Sequence, residues 1–391
     1  MIYLGQRGTL KADPFLSCIE FDQFYAEAVS LSWEDPATAE KSDASVRACR
    51  NRLASERIDL AAYNTTESAA DVADLRVALG IKDWNIYGLS YGTDLALQTL
   101  RDHPEGIRAV ILDSVLPPQI NLVEQGWASA ASSYKAIFDG CDADAACASA
   151  FPDVQSEFIK LVNDLSVKPR TVTIVDPMTG KKTDAVIDGY KLASGIVVSA
   201  SQTHGYLQKI PALIDNLANG DGTQAAKYLT ADVGPPNIVG YGLQFSTECS
   251  ELVAHTDLER VKAVGKSALP DFPDAVLSLP AQIGFIFGNC QQWAVPPAAQ
   301  GVSAPATSDI PVLLVSGSFD SATPPSYADE AVKTLPNSRY LMFQGVGHGV
   351  AEYSPIDAKC FVQIMQSFLD HPTGFDDTCF KSLRIPPFAT P

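Results

Sequence analysis

Apolar and polar positions along the chain fall into two rhythms. Short runs bounded by turn residues stand at Trp84-Asn-Ile-Tyr87, at Pro311-Val-Leu-Leu-Val315 and at Ser338-Arg-Tyr-Leu-Met-Phe343, and their length and β-branched or aromatic content predict buried strands. Met1 to Leu4 reads as a further strand. Residues 67–80 place Val72, Leu75 and Leu79 on one face at helical spacing and stop at Gly80, which predicts an amphipathic helix, and Ile356 to Leu369 reads as a closing helix. Core elements continue through Asp113. From Pro117 to about Pro305 the strand–helix alternation is lost, the composition turns rich in Ala, Ser, Gly and Pro, and aromatics recur at Trp127, Tyr134, Phe245, Phe285, Phe287 and Trp293. The expected organisation is therefore α/β: a mostly parallel sheet flanked by helices, its first part at 1–116, a large, mainly helical lid at 117–305, and its second part at 306–391.

Chemistry collects where these strands end. Gly88-Leu89-Ser90-Tyr91-Gly92 is a G-x-S-x-G sequence directly after the first run, and a sharp strand-to-helix turn exposes a serine hydroxyl to an adjacent base. The flanking glycines are read as positions where nothing larger fits. The run from Pro311 ends in a turn carrying Asp320, and Thr323-Pro-Pro325 stops it before a new helix. The run from Ser338 enters Gly345-Val-Gly-His348-Gly349, a glycine-rich loop able to swing a histidine over the sheet. Ser90 would attack a carbonyl, His348 would take and return its proton, and Asp320 would hold the imidazole tautomer. His103, His204, His255 and His371 compete for the base role, but none lies at a strand end after the acid.

The order Ser, Asp, His with each residue beyond a strand is that of the α/β-hydrolase triad. Most of the chain resembles the tripeptidyl aminopeptidase and prolyl aminopeptidase-like branch of that fold. The likeness is carried by Gly5-Gln-Arg-Gly-Thr9 with Pro14-Phe-Leu-Ser-Cys18, by Asp83-Trp-Asn-Ile-Tyr-Gly-Leu-Ser-Tyr-Gly-Thr93, and by Arg101-Asp-His-Pro104. It continues through Ala109-Val-Ile-Leu-Asp-Ser-Val115-Leu-Pro-Pro118 and the closing Gly345-Val-Gly-His-Gly349 with a cysteine-containing tail. The resemblance implies an exported exopeptidase in which lid acids bind the free α-ammonium of a peptide. Glu251 is the position carried over for that part, with Glu248 and Trp293 as further substrate-binding candidates around Cys249 and Cys290; solvated acids in a very acidic protein are the bland alternative. The family's His-Gly-Gly-Pro-Gly-like loop, which supplies one donor of the oxyanion hole, has no counterpart here; Gly5 stands where Asp is expected and Leu10 where Gly is. The Tyr91 backbone N–H remains one donor, the second is unassigned, and the Gly5–Gly8 loop is one way to supply it.

At 391 residues and 46% hydrophobic content the chain can bury a substantial core. Its formal net charge of −18, with no local Lys/Arg cluster, argues against nucleic acid as a partner. Apolar runs such as Ile196 to Ala200 are far shorter than the roughly 20 residues that span a bilayer, so no membrane partner is expected, and no signal-like segment opens the chain. Eight cysteines, at 18, 49, 141, 147, 249, 290, 360 and 379, contain no C-x-x-C pair and read better as disulfides than as a metal site. Connectivity is open from sequence; joining neighbours in order is the simplest set and suits the resemblance. Disulfides imply a secreted or periplasmic setting, buried thiols in a cytoplasmic enzyme being the alternative.

Gly265-Lys-Ser267 and Asp142-Ala-Asp144 fail as a phosphate loop and a calcium loop, Asn64-Thr-Thr66 is a glycosylation sequon with meaning only in a eukaryotic secretory pathway, and no metal or organic cofactor is implied. A sheet edge at Ile2–Leu4 without its usual neighbour makes a homodimer plausible. The expected activity is a cofactor-independent serine hydrolase working through an acyl-enzyme, an exopeptidase first, a broad carboxylesterase second, and a catalytically silent binding protein third.

Overall fold

The computed structural model describes residues 1–175, 182–198, 206–231, 233, 235–353 and 355–391. Four parallel strands form the central sheet in the order β1 (Trp84–Leu89), β2 (Ile107–Asp113), β5 (Val312–Gly317), β6 (Ser338–Phe343). β2 and β5 pair through Leu112 and Leu314 at the centre and are buried on both faces almost throughout, which explains their unbroken apolar sequence. β1 and β6 lie at the edges and alternate in burial. The strand over Ser338–Phe343 forms as expected; the run from Pro311 forms a strand over Val312–Gly317 and leaves Asp320 in the following turn.

Met1 to Leu4 is not a strand: it carries no regular structure, and Met1 and Tyr3 are 95% and 88% exposed. Four residues gain nothing from extended pairing unless a neighbour accepts their hydrogen bonds. Among the described residues the sheet's edges are β1 and β6, and Ile2–Leu4 forms neither, so the ground given for a dimer there disappears.

The helix read over 67–80 forms as α3 (Thr65–Ala78), capped by Asn64, whose side chain accepts from Glu67 N. Ala69 and Val72 pack on Leu95, but Leu79 lies past the helix end and is 52% exposed, so it does not belong to the buried face. Two helices precede it, α1 (Ile19–Ala28) and α2 (Pro36–Ser55), and α2 buries Thr38, Ser42, Val46, Cys49 and Leu53. With polar residues filling part of its inner face, α2 shows little apolar periodicity.

Between β2 and β5 the chain is mostly helical, opening with α5 (Leu122–Ala143), and includes one antiparallel hairpin, β3 (Arg170–Val175) with β4 (Lys182–Ile187). Trp127, Tyr134, Phe158 and Phe272 pack together there. The closing helix spans Pro355–Asp370. All eight cysteines are paired in chain order, Cys18–Cys49, Cys141–Cys147, Cys249–Cys290 and Cys360–Cys379, as an oxidising environment requires. No helix among the described residues is long and apolar enough to cross a membrane.

Candidate active site

Ser90 stands where β1 gives way to α4 (Tyr91–Asp102), with φ +56° and ψ −124°. A non-glycine residue rarely holds that conformation unless its surroundings impose it. Here the Ser90 N–H donates to the Asp113 carbonyl at 3.0 Å, and the Ser90 carbonyl accepts from Thr93 N at 2.8 Å and Thr93 Oγ1 at 2.6 Å. A Cβ at Gly88 would collide with the Gly92 carbonyl, so only glycine fits at that flank. The space beside Gly92 is open, which corrects the expectation that both flanks are closed.

Asp320 is 1% exposed and both its oxygens are engaged. Oδ1 accepts from Ala322 N and Thr323 N, each at 2.9 Å; Oδ2 accepts from Thr323 Oγ1 at 2.9 Å and faces His348 Nδ1 at 2.9 Å. Burial pushes this carboxyl up, but the nearby imidazole and the donated hydrogen bonds outweigh it and hold the group below the usual Asp range. For His348 burial favours the neutral ring, and the charges of Asp320, Asp113 and Glu352 reverse the balance, raising its pKa above the ordinary histidine value.

The histidine loop is fastened by residues at the end of β2. Gly349 N–H donates to Ser114 Oγ at 2.8 Å, and Val350 and Ala351 N–H donate to the two oxygens of Asp113 at 2.9 and 3.0 Å. Tyr87 Oη donates to Asp113 Oδ2 at 3.1 Å. Gly317 allows the same loop to pass close above β5, because a Cβ there would strike the carbonyl oxygens of Val346 and Gly347. Asp113 therefore connects the Ser90 turn and the His348 loop, its carbonyl to Ser90 and its carboxylate to the residues after His348.

Ser90, Tyr91 and His348 line one cavity of about 470 Å³. No hydrogen bond joins Ser90 Oγ to His348 among the described residues, and such contacts commonly close only when substrate binds. Tyr91 opens α4, so its N–H belongs to the unpaired donors of the first helical turn. Of the other histidines, His103, His255 and His371 do not line this cavity, and His204 lies outside the described residues.

Three carboxylic acids line the same cavity. Glu251 Oε1 accepts from Thr65 N and Oε2 from Thr65 Oγ1, both at 2.6 Å, and Tyr91 Oη bonds the same hydroxyl at 2.7 Å. Glu248 Oε1 accepts from Gln244 Nε2 at 2.9 Å, whereas its buried Oε2 has no partner. Asp94, one turn along α4 from Ser90, accepts from Gln98 Nε2 at 3.1 Å. Burial raises all three carboxyls, Glu248 and Asp94 to about 7. Among the described residues no Lys or Arg lines the cavity with them.

The structure thus brings Ser90, His348, Glu248 and Glu251 to one cavity, with Asp320 behind the imidazole. Trp293 does not join them: it is fully buried, donates its indole N–H to Ser246 Oγ at 2.9 Å and packs on Phe245, which corrects its reading as a substrate contact. Joining Cys249 to Cys290 fixes its helix, Ile286–Trp293, but leaves the indole in the core. Sequence reasoning missed Asp94, although its spacing of four from Ser90 places it on the same helical face. It also missed Asp113 and Ser114, which end β2 as Asp320 follows β5. Among the described residues no group of His, Cys, Asp and Glu is arranged to hold a metal ion.

The serine protease Hip1 of Mycobacterium tuberculosis is 27% identical over 306 residues, 74% of this chain and 57% of Hip1, so the chain spans little more than half the length of that relative. A proline iminopeptidase of Xylella fastidiosa is 43% identical over 53 residues, 13% of this chain and 17% of that protein. The solved structure of MGS-M2, an α/β-hydrolase enzyme from a deep-sea metagenome library, is 14% identical, with a TM-score of 0.35 over 81% of this chain and 74% of that one. Residues 41–355 match the family model described as the alpha/beta hydrolase fold, and this chain belongs to that family.

Proposed function

We propose that this chain is a serine hydrolase that releases short peptides or single residues from free N-termini through an acyl-enzyme on Ser90. His348 serves as general base and acid, and Asp320 orients and stabilises the imidazolium. The observation that carries the peptide reading is the acidic wall: Asp94, Glu248 and Glu251 share the cavity of Ser90 with no Lys or Arg among its lining residues. A buried carboxylate without a cation is costly, and a substrate ammonium removes that cost. Glu248 has the unpartnered oxygen, whereas both Glu251 oxygens already accept from Thr65, so Glu248 is the primary ammonium acceptor and Glu251 supports it. The likeness to a serine protease and the short match to a proline iminopeptidase agree with this assignment.

The test is turnover of a tripeptidyl or aminoacyl anilide beside a short-chain phenyl ester on one preparation, with a fluorophosphonate to label Ser90. Labelling with anilide turnover is expected. Ester turnover alone would make the protein a carboxylesterase, and absence of labelling would make it a binding protein.

A further inference from the structure

The reaction proposed for Ser90 develops negative charge on the substrate carbonyl oxygen. As the bond from Ser90 Oγ to the carbonyl carbon forms, the π pair moves onto that oxygen while His348 takes the hydroxyl proton. One backbone donor, Tyr91 N–H, accompanies the elbow; the structure bears on the second through Gln6, which lines the same cavity as Ser90, Tyr91 and His348.

Four glutamines line that cavity, and three of their amides are committed. Gln98 Nε2 donates to Asp94, Gln244 Nε2 to Glu248, and Gln282 Nε2 to the Ser321 carbonyl at 3.5 Å. The Gln6 carboxamide makes no hydrogen bond among the described residues, and its Oε1 is buried without a partner. Leaving an amide unsatisfied in a partly buried position costs free energy, and such exceptions in native structures call for an explanation, a catalytic role among them.

Its backbone, by contrast, is held firmly. Next to it, Arg7 forms a bidentate pair with Asp71, Nε and Nη2 each at 2.7 Å, and donates to the Ala62 carbonyl at 2.6 Å, tying the loop to α3 and the segment before it. The Gln6 carbonyl accepts from Thr9 N at 3.1 Å and Thr9 Oγ1 at 2.6 Å. That second bond also commits the hydroxyl of Thr9, which lines the cavity too. A held backbone thus carries an uncommitted amide at the cavity, leaving its N–H groups available to a developing oxyanion.

We infer that the side-chain amide of Gln6 is the second oxyanion-hole donor, acting with Tyr91 N–H. The inference rests on the assignment of Ser90 as nucleophile. Gln6→Met keeps the length and removes the donor; Gln6→Glu keeps the shape and replaces the donor with an acceptor. Rates are normalised to sites titrated with a fluorophosphonate, so misfolded protein does not count. Both variants are expected to lose about 10²–10³ in kcat with KM within about twofold. A peptide aldehyde, whose adduct with Ser90 carries the oxyanion, should weaken by a similar factor, while the matching alcohol binds as before. Unchanged kcat and aldehyde inhibition in both variants would overturn the inference, as would equal losses for aldehyde and alcohol, which mark a structural role. A wild-type protein that neither labels nor turns over ester or anilide would instead remove the nucleophile assignment, and the inference with it.

Discussion

The two sides of the cavity are built on opposite terms. On the sheet side, both oxygens of Asp320 are engaged, His348 Nδ1 is matched to them, and the loop behind the imidazole is fastened to Asp113 and Ser114. On the acidic wall, Glu248 keeps a buried oxygen unpartnered, and burial holds Glu248 and Asp94 partly protonated near neutrality. Under the proposed function, the Asp320–His348 pair finds its partners within the chain, whereas Glu248 would find a partner for its second oxygen only in a substrate cation. On that proposal the fixed pair is pre-organised for the reaction, and the uncompensated acid favours a cationic substrate.

The harshest way to break the comparison is to damage the complete side. Ser90→Ala should abolish labelling and turnover on every substrate, and Asp320→Asn should leave a folded protein slower by about 10⁴, because the imidazole is then held in the wrong tautomer. Substrate charge should not matter to either loss; steady-state rates on ester and anilide check this, and retained activity in Ser90→Ala would end the assignment.

Damage to the acidic side should be selective. Glu248→Gln is expected to lower kcat/KM for free-amine peptide anilides by about 10-fold to 100-fold, the worth of a charge-assisted hydrogen bond of roughly 1.5–3 kcal/mol, and scarcely to alter a neutral ester. Glu251→Gln should show the same selectivity with an added loss of thermal stability from its weakened bonds to Thr65. Equal losses on both substrates in Glu248→Gln would mean that the acid only holds the fold.

What was legible in the chain follows the same division. Ser90, Asp320 and His348 could be placed because each follows an apolar run whose end is marked by turn residues, and the strand over Ser338–Phe343 needed no tertiary information. Met1–Leu4 misled because an apolar run is not a strand until something pairs with it. α2 was invisible because Thr38 and Ser42 occupy its buried face, and Trp293 was misplaced because a disulfide fixes a backbone, not the direction of a side chain. Glu248 and Asp94 gain meaning only through burial, and Glu248 through one unpartnered oxygen, neither of which spacing records.

The two sides should also separate with pH. His348 must be neutral to act as base, so ester kcat should fall as pH drops through its raised pKa. On a free-amine peptide, KM should rise as well below about pH 7, where Glu248 and Asp94 take up protons and lose the charge that attracts the ammonium. KM for the neutral ester should stay flat over that range, and parallel KM profiles for the two substrates would contradict the assignment.

The smallest effect expected is on stability, and its sign is informative. The folded state holds the Glu248 proton more tightly than the unfolded chain, so the associated stability is present at low pH and is lost as pH rises through about 7. Glu248→Gln removes that loss, and its Tm by scanning calorimetry should exceed the wild type by a few degrees at pH 8 and by little at pH 5. A lower Tm at pH 8 would show that the carboxylate has a partner when empty.

The most direct measurement is the kcat/KM of the wild-type protein on one peptide anilide with its amine free and with the same amine acetylated, at pH 7.5. The free amine should be preferred by about 10-fold to 100-fold, because acetylation removes the charge that the acidic wall lacks. Equal rates, or a preference for the acetylated peptide, would contradict the claim that this cavity is completed by a substrate ammonium.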